Sequence, residues 1–422
     1  MFNTQAIPNE IFVGIFSVLV DRTPYLTSLS LVSRRLHALV EPILYKDIII
    51  TQKTPAGIAR FLRTILSRPI LARYVRLLDA SWIYITPLTL ASDPGLQDPT
   101  DLALFTAAAT KVGLLRAVDL PAAQVALLLH LLPNLLVLKV DPPGEFYPWQ
   151  YPDVFENFLG EYAVLPTDDL PVALLSVRAI TFGPDGSEVS FNALRTIMRL
   201  PSICEIDIHI LAATEEIKTS SLTSAGNDAT STATSLRFGY GTIDTMALAR
   251  VLAMPQALTR FSYIDYDGRM DSFNCGVFWT GLQGCRETLQ VLELWFRMAG
   301  TIDDDGTLGK NEGALHDWPV LKSVRCQLAT LLGKDPERTV ARLADAVPVV
   351  MTDLTIDDDE YWKFAPVADQ VLEMVVRNGC RQLVNVTVGG CWRTSDGSVQ
   401  EALRAACDAA DVVFVGFKWR EY

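Results

Sequence analysis

Leu289-Gln290-Val291-Leu292-Glu293-Leu294 places one apolar residue, two others, an apolar, one other and an apolar in six positions. Such spacing predicts a short strand with Leu292 and Leu294 on one buried face and Glu293 on the opposite face. The same string recurs as Leu135-Leu138-Val140, Val177-Ile180-Phe182, Ile203-Ile206-Ile208, Leu258-Phe261-Tyr263, Leu321-Val324-Cys326, Met351-Leu354-Ile356, Leu383-Val386-Val388 and Ala410-Val413-Val415. Looser copies stand at Leu236-Phe238 and Leu115-Val118-Leu120. From Ile180 to Val413 the central residues are 25 to 32 positions apart. Between the strings, Phe191 to Leu200, Ile243 to Ala253, Thr339 to Ala346, Val367 to Val376 and Val399 to Ala409 carry helical spacing. Alternating strands and helices of this size predict an α/β fold, a parallel sheet with helices outside it. A doubly wound nucleotide-binding sheet is the rival arrangement, but no Gly-x-Gly-x-x-Gly follows any strand, and the units are too many for it. Stacked strand–helix units forming a curved solenoid fit better.

Register then assigns a surface. Residues between the buried strand positions face the concave side: Lys139, Asp207, His209, Glu293, Trp295, Arg325, Thr355 and Thr387. Trp295, flanked by Glu293 and Arg297 and with Arg325 on the next string, is the leading candidate for protein recognition, because Trp and Arg dominate interface energetics. Trp392 and Trp419 lie just beyond strands and extend this set; loop packing is the alternative for each tryptophan. Inserted loops are expected near 141–170, 214–235 and 301–317, the second almost entirely Ser, Thr, Ala, Asn and Asp.

The first 50 residues read differently. Pro8 suits the first turn of a helix, and Glu10 favours its positive end. Ile11, Ile15 and Leu19, with Phe12 and Phe16 beside them, form one broad apolar stripe on a helix from about Asn9 to Val20. A second apolar-periodic run holds Leu26, Leu29, Val32, Leu36, Leu39 and Val40 and ends at Pro42. These helices are too short to bury both faces alone. On the residues by themselves, a helical cap on a larger domain explains them.

The order Ile7-Pro8-Asn9-Glu10-Ile11, Ile15, Leu29-Ser30-Leu31-Val32-Ser33-Arg34-Arg35-Leu36 and Pro42-Ile43-Leu44-Tyr45 resembles an F-box, particularly the fungal-type members. Two departures stand out: Ile7-Pro8 replaces the family's Leu-Pro, and Leu36 stands where tryptophan is common. The resemblance implies a helical module at residues 1–50 that binds a Skp-type adaptor and, through it, a cullin. By the same resemblance, Ile7, Pro8, Ile11, Ile15, Leu29 and Val32 supply adaptor contacts, while some of them pack the module's own core. Residues 51–422 are similar to the irregular leucine-rich-repeat-like solenoids that often follow an F-box, with Cys391 at a position where such repeats carry Asn or Cys. The implied role is the substrate-recognition subunit of a Skp–cullin–F-box ubiquitin ligase. A leucine-rich scaffold without ligase coupling and, further away, an α/β enzyme are the alternatives.

Composition narrows the classes. Net charge is −13, yet residues 1–76 carry +6 and the remainder −19. An acidic body argues against nucleic acid, whose binding requires phosphate neutralisation. The most apolar stretch, Val125 to Val140, is interrupted by His130, Pro133 and Asn134 and is too short to span a membrane. Seven cysteines with no secretory signal read as free thiols in a reducing compartment, cytoplasmic or nuclear. The four histidines, His37, His130, His209 and His316, have no Cys or His at zinc spacing. Asp303-Asp304-Asp305-Gly306 places Thr301 at the first calcium-ligand position and reads as a solvated acidic loop. No catalytic, cofactor or metal residue is assigned, and a non-enzymatic adaptor is the expectation.

Overall fold

The computed structural model describes residues 7–19, 23–50, 57–81, 98–114, 121–140, 170–183, 189–209, 211–213, 230–239, 241–243, 245–265, 275–296, 315–332, 342–357, 364–376, 382–389 and 397–417. The chain forms two compact units, Met1–Ser187 with Leu200–Ile203, and Glu188–Arg199 with Cys204–Tyr422.

The first unit opens with helices α1 (Asn9–Val18), α2 (Thr23–Ser30) and α3 (Arg34–Leu44). The second apolar run is thus two helices rather than one. A turn at Leu31-Val32 parts them, and Ser33 restarts the helix by accepting the Leu36 amide at 3.2 Å. Pro42 does not end α3, as its position implied, but lies inside it; so near the C-terminus it removes a single helical hydrogen bond. Strand–helix units follow: β1 (Asp47–Ile49), α4 (Gly57–Ser67), β2 (Leu77–Ala80), α5 (Pro99–Lys111), α6 (Pro121–Leu131), β3 (Val137–Val140), α7 (Val172–Ser176) and β4 (Ala179–Phe182). The four strands pair in parallel in chain order. Leu78, Leu138 and Ile180 share one register row and are fully buried.

The second unit repeats the arrangement on a larger scale. Its main strands are β6 (Glu205–Ile208), β8 (Ser235–Phe238), β10 (Arg260–Asp265), β11 (Val291–Phe296), β12 (Ser323–Gln327), β13 (Asp353–Asp357), β14 (Asn385–Gly389) and β15 (Val413–Phe417), again parallel and in chain order. A short second parallel sheet joins β5 (Val189–Ser190), β7 (Leu211–Ala213) and β9 (Gly241–Ile243). Helices Phe191–Met198, Thr245–Leu252, Phe364–Val376 and Gly397–Ala409 fall in the expected segments. Thr339–Ala346 yields only Leu343–Ala346 among the described residues. Parallel strands laid down in sequence order with helical connections give a solenoid-like α/β fold in each unit.

One hydrogen-bond device marks each step of the ladder. The carbonyl of Cys204 accepts the amides of both Thr234 and Ser235; that of Thr234 accepts Thr259 and Arg260; that of Thr259 accepts Gln290 and Val291. The pattern continues through Gln290, Lys322 and Thr352. Threonine hydroxyls reinforce it: Thr259 Oγ1 donates to Thr234 O at 2.9 Å and Thr288 Oγ1 to Leu258 O at 2.8 Å. Each turn of the chain therefore fastens to the preceding one at the strand entrance, which fixes the register of Ile206, Leu236, Phe261, Leu292, Val324, Leu354 and Val386 in one buried row.

The last strand departs from expectation. Val413 and Val415 are exposed, and Phe414 rather than Val413 stands beside Val386. The cause lies just upstream. Asp411 adopts φ 58°, Val412 N bonds Cys407 O at 2.8 Å, and Asp411 N bonds Asp408 O at 3.2 Å. This left-handed helix stop leaves Val412 buried and shifts the strand by one residue, which reverses both its faces. Leu115-Val118-Leu120 lies outside the described residues, as do Cys391, Trp392, Trp419, Thr301 to Gly306, and most of the three expected insertions.

Candidate functional site

The N-terminal helices divide their apolar residues between two faces. Phe16, Leu26 and Val40 are buried together, with Phe12, Leu19, Leu29, Leu36, Leu39, Ile43 and Leu44 packed around them. Phe12 and Phe16 stack, ring centroids 5.7 Å apart. Burying three such side chains contributes roughly 1.5–3 kcal/mol each. One helical step round, Ile11 (55 % exposed), Ile15 (52 %) and Val18 (82 %) face outward, and Leu31 (82 %) and Val32 (69 %) project from the turn before α3.

The stripe read as one band is therefore two, and the six residues assigned to adaptor contact separate accordingly. Ile7, Pro8, Ile11, Ile15 and Val32 are exposed; Leu29 packs on the module's own core. Val18 and Leu31, outside that set, are the most exposed large apolar residues here. Their signal in the sequence is an α1 apolar on more faces than its inner contacts use.

Arg35 holds the entrance of α1. Its Nη2 donates to Ile7 O at 2.6 Å and to Asn9 Oδ1 at 2.8 Å, its Nε also reaches Asn9 Oδ1 at 3.0 Å, and its guanidinium lies 5.4 Å from the Phe12 ring centroid. This clamp fixes Ile7 and Pro8 relative to α3. Arg68 Nη2 binds Glu41 Oε1 at 2.5 Å and ties α3 to the residue after α4.

A second candidate surface is the sheet face turned away from the core. In the first unit Lys139 Nζ stands 3.9 Å from Asp79 Oδ2. In the second, β11 presents Glu293 between buried Leu292 and Leu294 and Trp295 just after them, and Glu293 registers with Arg325. Arg325 donates from Nε to Asp357 Oδ2 at 2.7 Å and from Nη2 to Oδ1 at 3.2 Å, and that carboxylate is wholly buried. Its guanidinium is thereby engaged within the sheet. Arg297 lies outside the described residues.

Among the described residues, no group of three His, Cys, Asp or Glu side chains is placed to hold a metal ion, and no helix is long and apolar enough to cross a membrane. Burial pushes the Cys285 thiol up to about 11 and draws His130 below its ordinary value.

Among known families, the model described as the COS11 F-box domain matches residues 4–86, a span that runs from before α1 through β2. No curated protein matches the chain. The helical trio and its closed core lie within the matched span, and the match supports an F-box of the fungal type at residues 4–86.

Proposed function

We propose that this protein is the substrate-recognition subunit of a Skp–cullin–F-box ubiquitin ligase. The F-box supports a general role in recruiting substrates to such a ligase. The observation that carries the reading further is the aliphatic face of Ile11, Ile15, Val18, Leu31 and Val32, left exposed although the trio has already closed its core. Apolar patches of this kind on a folded module mark a protein contact. A Skp-type adaptor covers that face, with Ile7 and Pro8 completing it, and the adaptor brings the cullin. The outer sheet face, with Glu293 and Trp295 near its middle, holds a protein substrate. The chain itself performs no chemistry; it raises the effective concentration of a substrate lysine near the ubiquitin-loaded enzyme. Its site of action is the cytoplasm or nucleus.

Co-purification with a Skp-type adaptor tests this. The intact chain is expected to bind. Ile11→Asp with Ile15→Asp abolishes binding while thermal stability holds, since both side chains already face solvent. An intact, folded chain that captures no adaptor overturns the reading and leaves a scaffold without ligase coupling.

A further inference from the structure

On the outer face of the second unit, Asp207, Arg237, Ser262, Glu293, Arg325 and Thr355 form one cross-strand row, one residue per strand. Charges of both signs stand in this row, yet they do not all pair with their neighbours. Arg237 Nη1 turns back towards Asp207 Oδ2 at 4.0 Å. Arg325 turns the other way, into its two bonds with buried Asp357. Glu293, between the two arginines, is half-buried and has no hydrogen bond or ion pair among the described residues.

Directly opposite Glu293 on β10 sits Ser262, one strand spacing away, about 4.8 Å. Ser262 is 1 % exposed, and its Oγ has no hydrogen-bond partner. A buried hydroxyl left in this state is unfavourable. Trp295 lies two residues beyond Glu293 on the same face. A carboxylate with no counter-charge among the described residues, a buried hydroxyl without a partner and an aromatic ring are thus neighbours on this face.

We infer that Glu293, Ser262 and Trp295 together hold a cationic side chain, a lysine or arginine, from an extended segment of the protein substrate. The inference rests on the receptor reading above and names the chemistry of what the receptor grips. The ammonium or guanidinium pairs with Glu293, donates to Ser262 Oγ and lies against the Trp295 indole, which attracts cations through its π face. Arg325 does not compete, because Asp357 already balances its charge. The chain's net charge of −13 draws a cationic partner towards this face.

The test is binding of the full chain to a nonapeptide array in which only the central residue varies. Lys and Arg at that position are expected to bind best. Glu293→Gln, close to isosteric, removes the preference, with a loss of about ten- to hundredfold in affinity for the Lys and Arg peptides, as a charge-assisted contact of this kind implies. Glu293→Lys reverses the preference towards Asp and Glu. A wild-type chain indifferent to charge, or a Glu293→Gln chain of unchanged melting temperature that keeps the cationic preference, overturns the inference. Adaptor binding is measured in parallel, so the two readings fail separately: cationic selection without adaptor binding refutes the receptor role alone, and adaptor binding without cationic selection refutes this inference alone.

Discussion

Cys285 shows how far a single residue's surroundings set its behaviour. It is buried in the 3-10 turn Gln283–Cys285 that follows helix Cys275–Leu282, its Sγ 3.5 Å from Leu252 O, and burial raises its thiol to about 11 from an ordinary value of 9.0. The native thiol therefore keeps its proton between pH 9 and 11, where the unfolded thiol has released it. The native state binds more protons in that window, so stability falls as pH rises through it, by at most about 1.4 kcal/mol per pH unit from this one group. Urea titrations of wild type and Cys285→Ala across pH 8–11 are expected to converge as pH rises, and native wild type is expected to resist iodoacetamide at Cys285 at pH 8. The sequence marked this residue as a free thiol, but its depth is a property of the packed helices around it. Asp411 teaches the same lesson about backbone. Nothing in Ala409-Ala410-Asp411-Val412 announces a left-handed residue, since glycine normally fills that position, as Gly113 does after α5 with φ 78°.

Helix pairs carry the next level. Helices Thr245–Leu252 and Cys275–Leu282 approach so closely that a β-carbon on Gly281 would stand 2.6 Å from Ala249 Cα and 2.8 Å from its Cβ. Both atoms belong to a neighbouring helix, so neither can swing aside. Gly281→Ala is expected to force the pair apart and cost about 1–3 kcal/mol, measured as a fall in melting temperature. Gly284, three residues on, has nothing within 4 Å of such a carbon; Gly284→Ala is the matched control and leaves stability nearly unchanged. Strands were the most legible elements. The alternation at Leu292-Glu293-Leu294 and its counterparts predicts the buried row from Ile206 to Val386, because side-chain direction in a strand follows from local geometry with period two. The slip at Val413 occurred where a helix stop, not the strand, set the phase.

At the scale of the whole molecule, the two surfaces proposed to serve different partners belong to different units. The exposed faces of α1 and the α2–α3 turn lie in the first unit, and the Glu293 site in the second. Because the two sites belong to different units, variants at them should act independently. Ile11→Asp with Ile15→Asp should leave the array's cationic preference intact, Glu293→Gln should leave adaptor capture intact, and the triple variant should lose both by the sum of the separate effects, within about 0.5 kcal/mol in binding free energy. Coupling beyond that margin, read by pull-down and array together, would show that one surface communicates with the other. The charge division fits two roles: a front of +6 and a remainder of −19 present different fields to different partners.

By itself the sequence determined the α/β class, the parallel order of strands and helices, the order of F-box elements and the identity of the apolar residues in the N-terminal helices. The F-box order rests on a family resemblance; the rest follows from periodicities of two and about 3.6 residues, which need no knowledge of neighbours. Only the tertiary structure decided which apolar residues of α1 close the core and which stay outside, because Phe16 is buried by Leu26 and Val40 from separate helices. It also decided which charges are free. Arg325 looked available until Asp357, 32 residues away, was seen to claim it, and Glu293 looked like one charge among many until Arg237 and Arg325, the arginines of its cross-strand row, were seen to turn elsewhere. Pairing is a property of distance in space, and the chain's local pattern does not contain it.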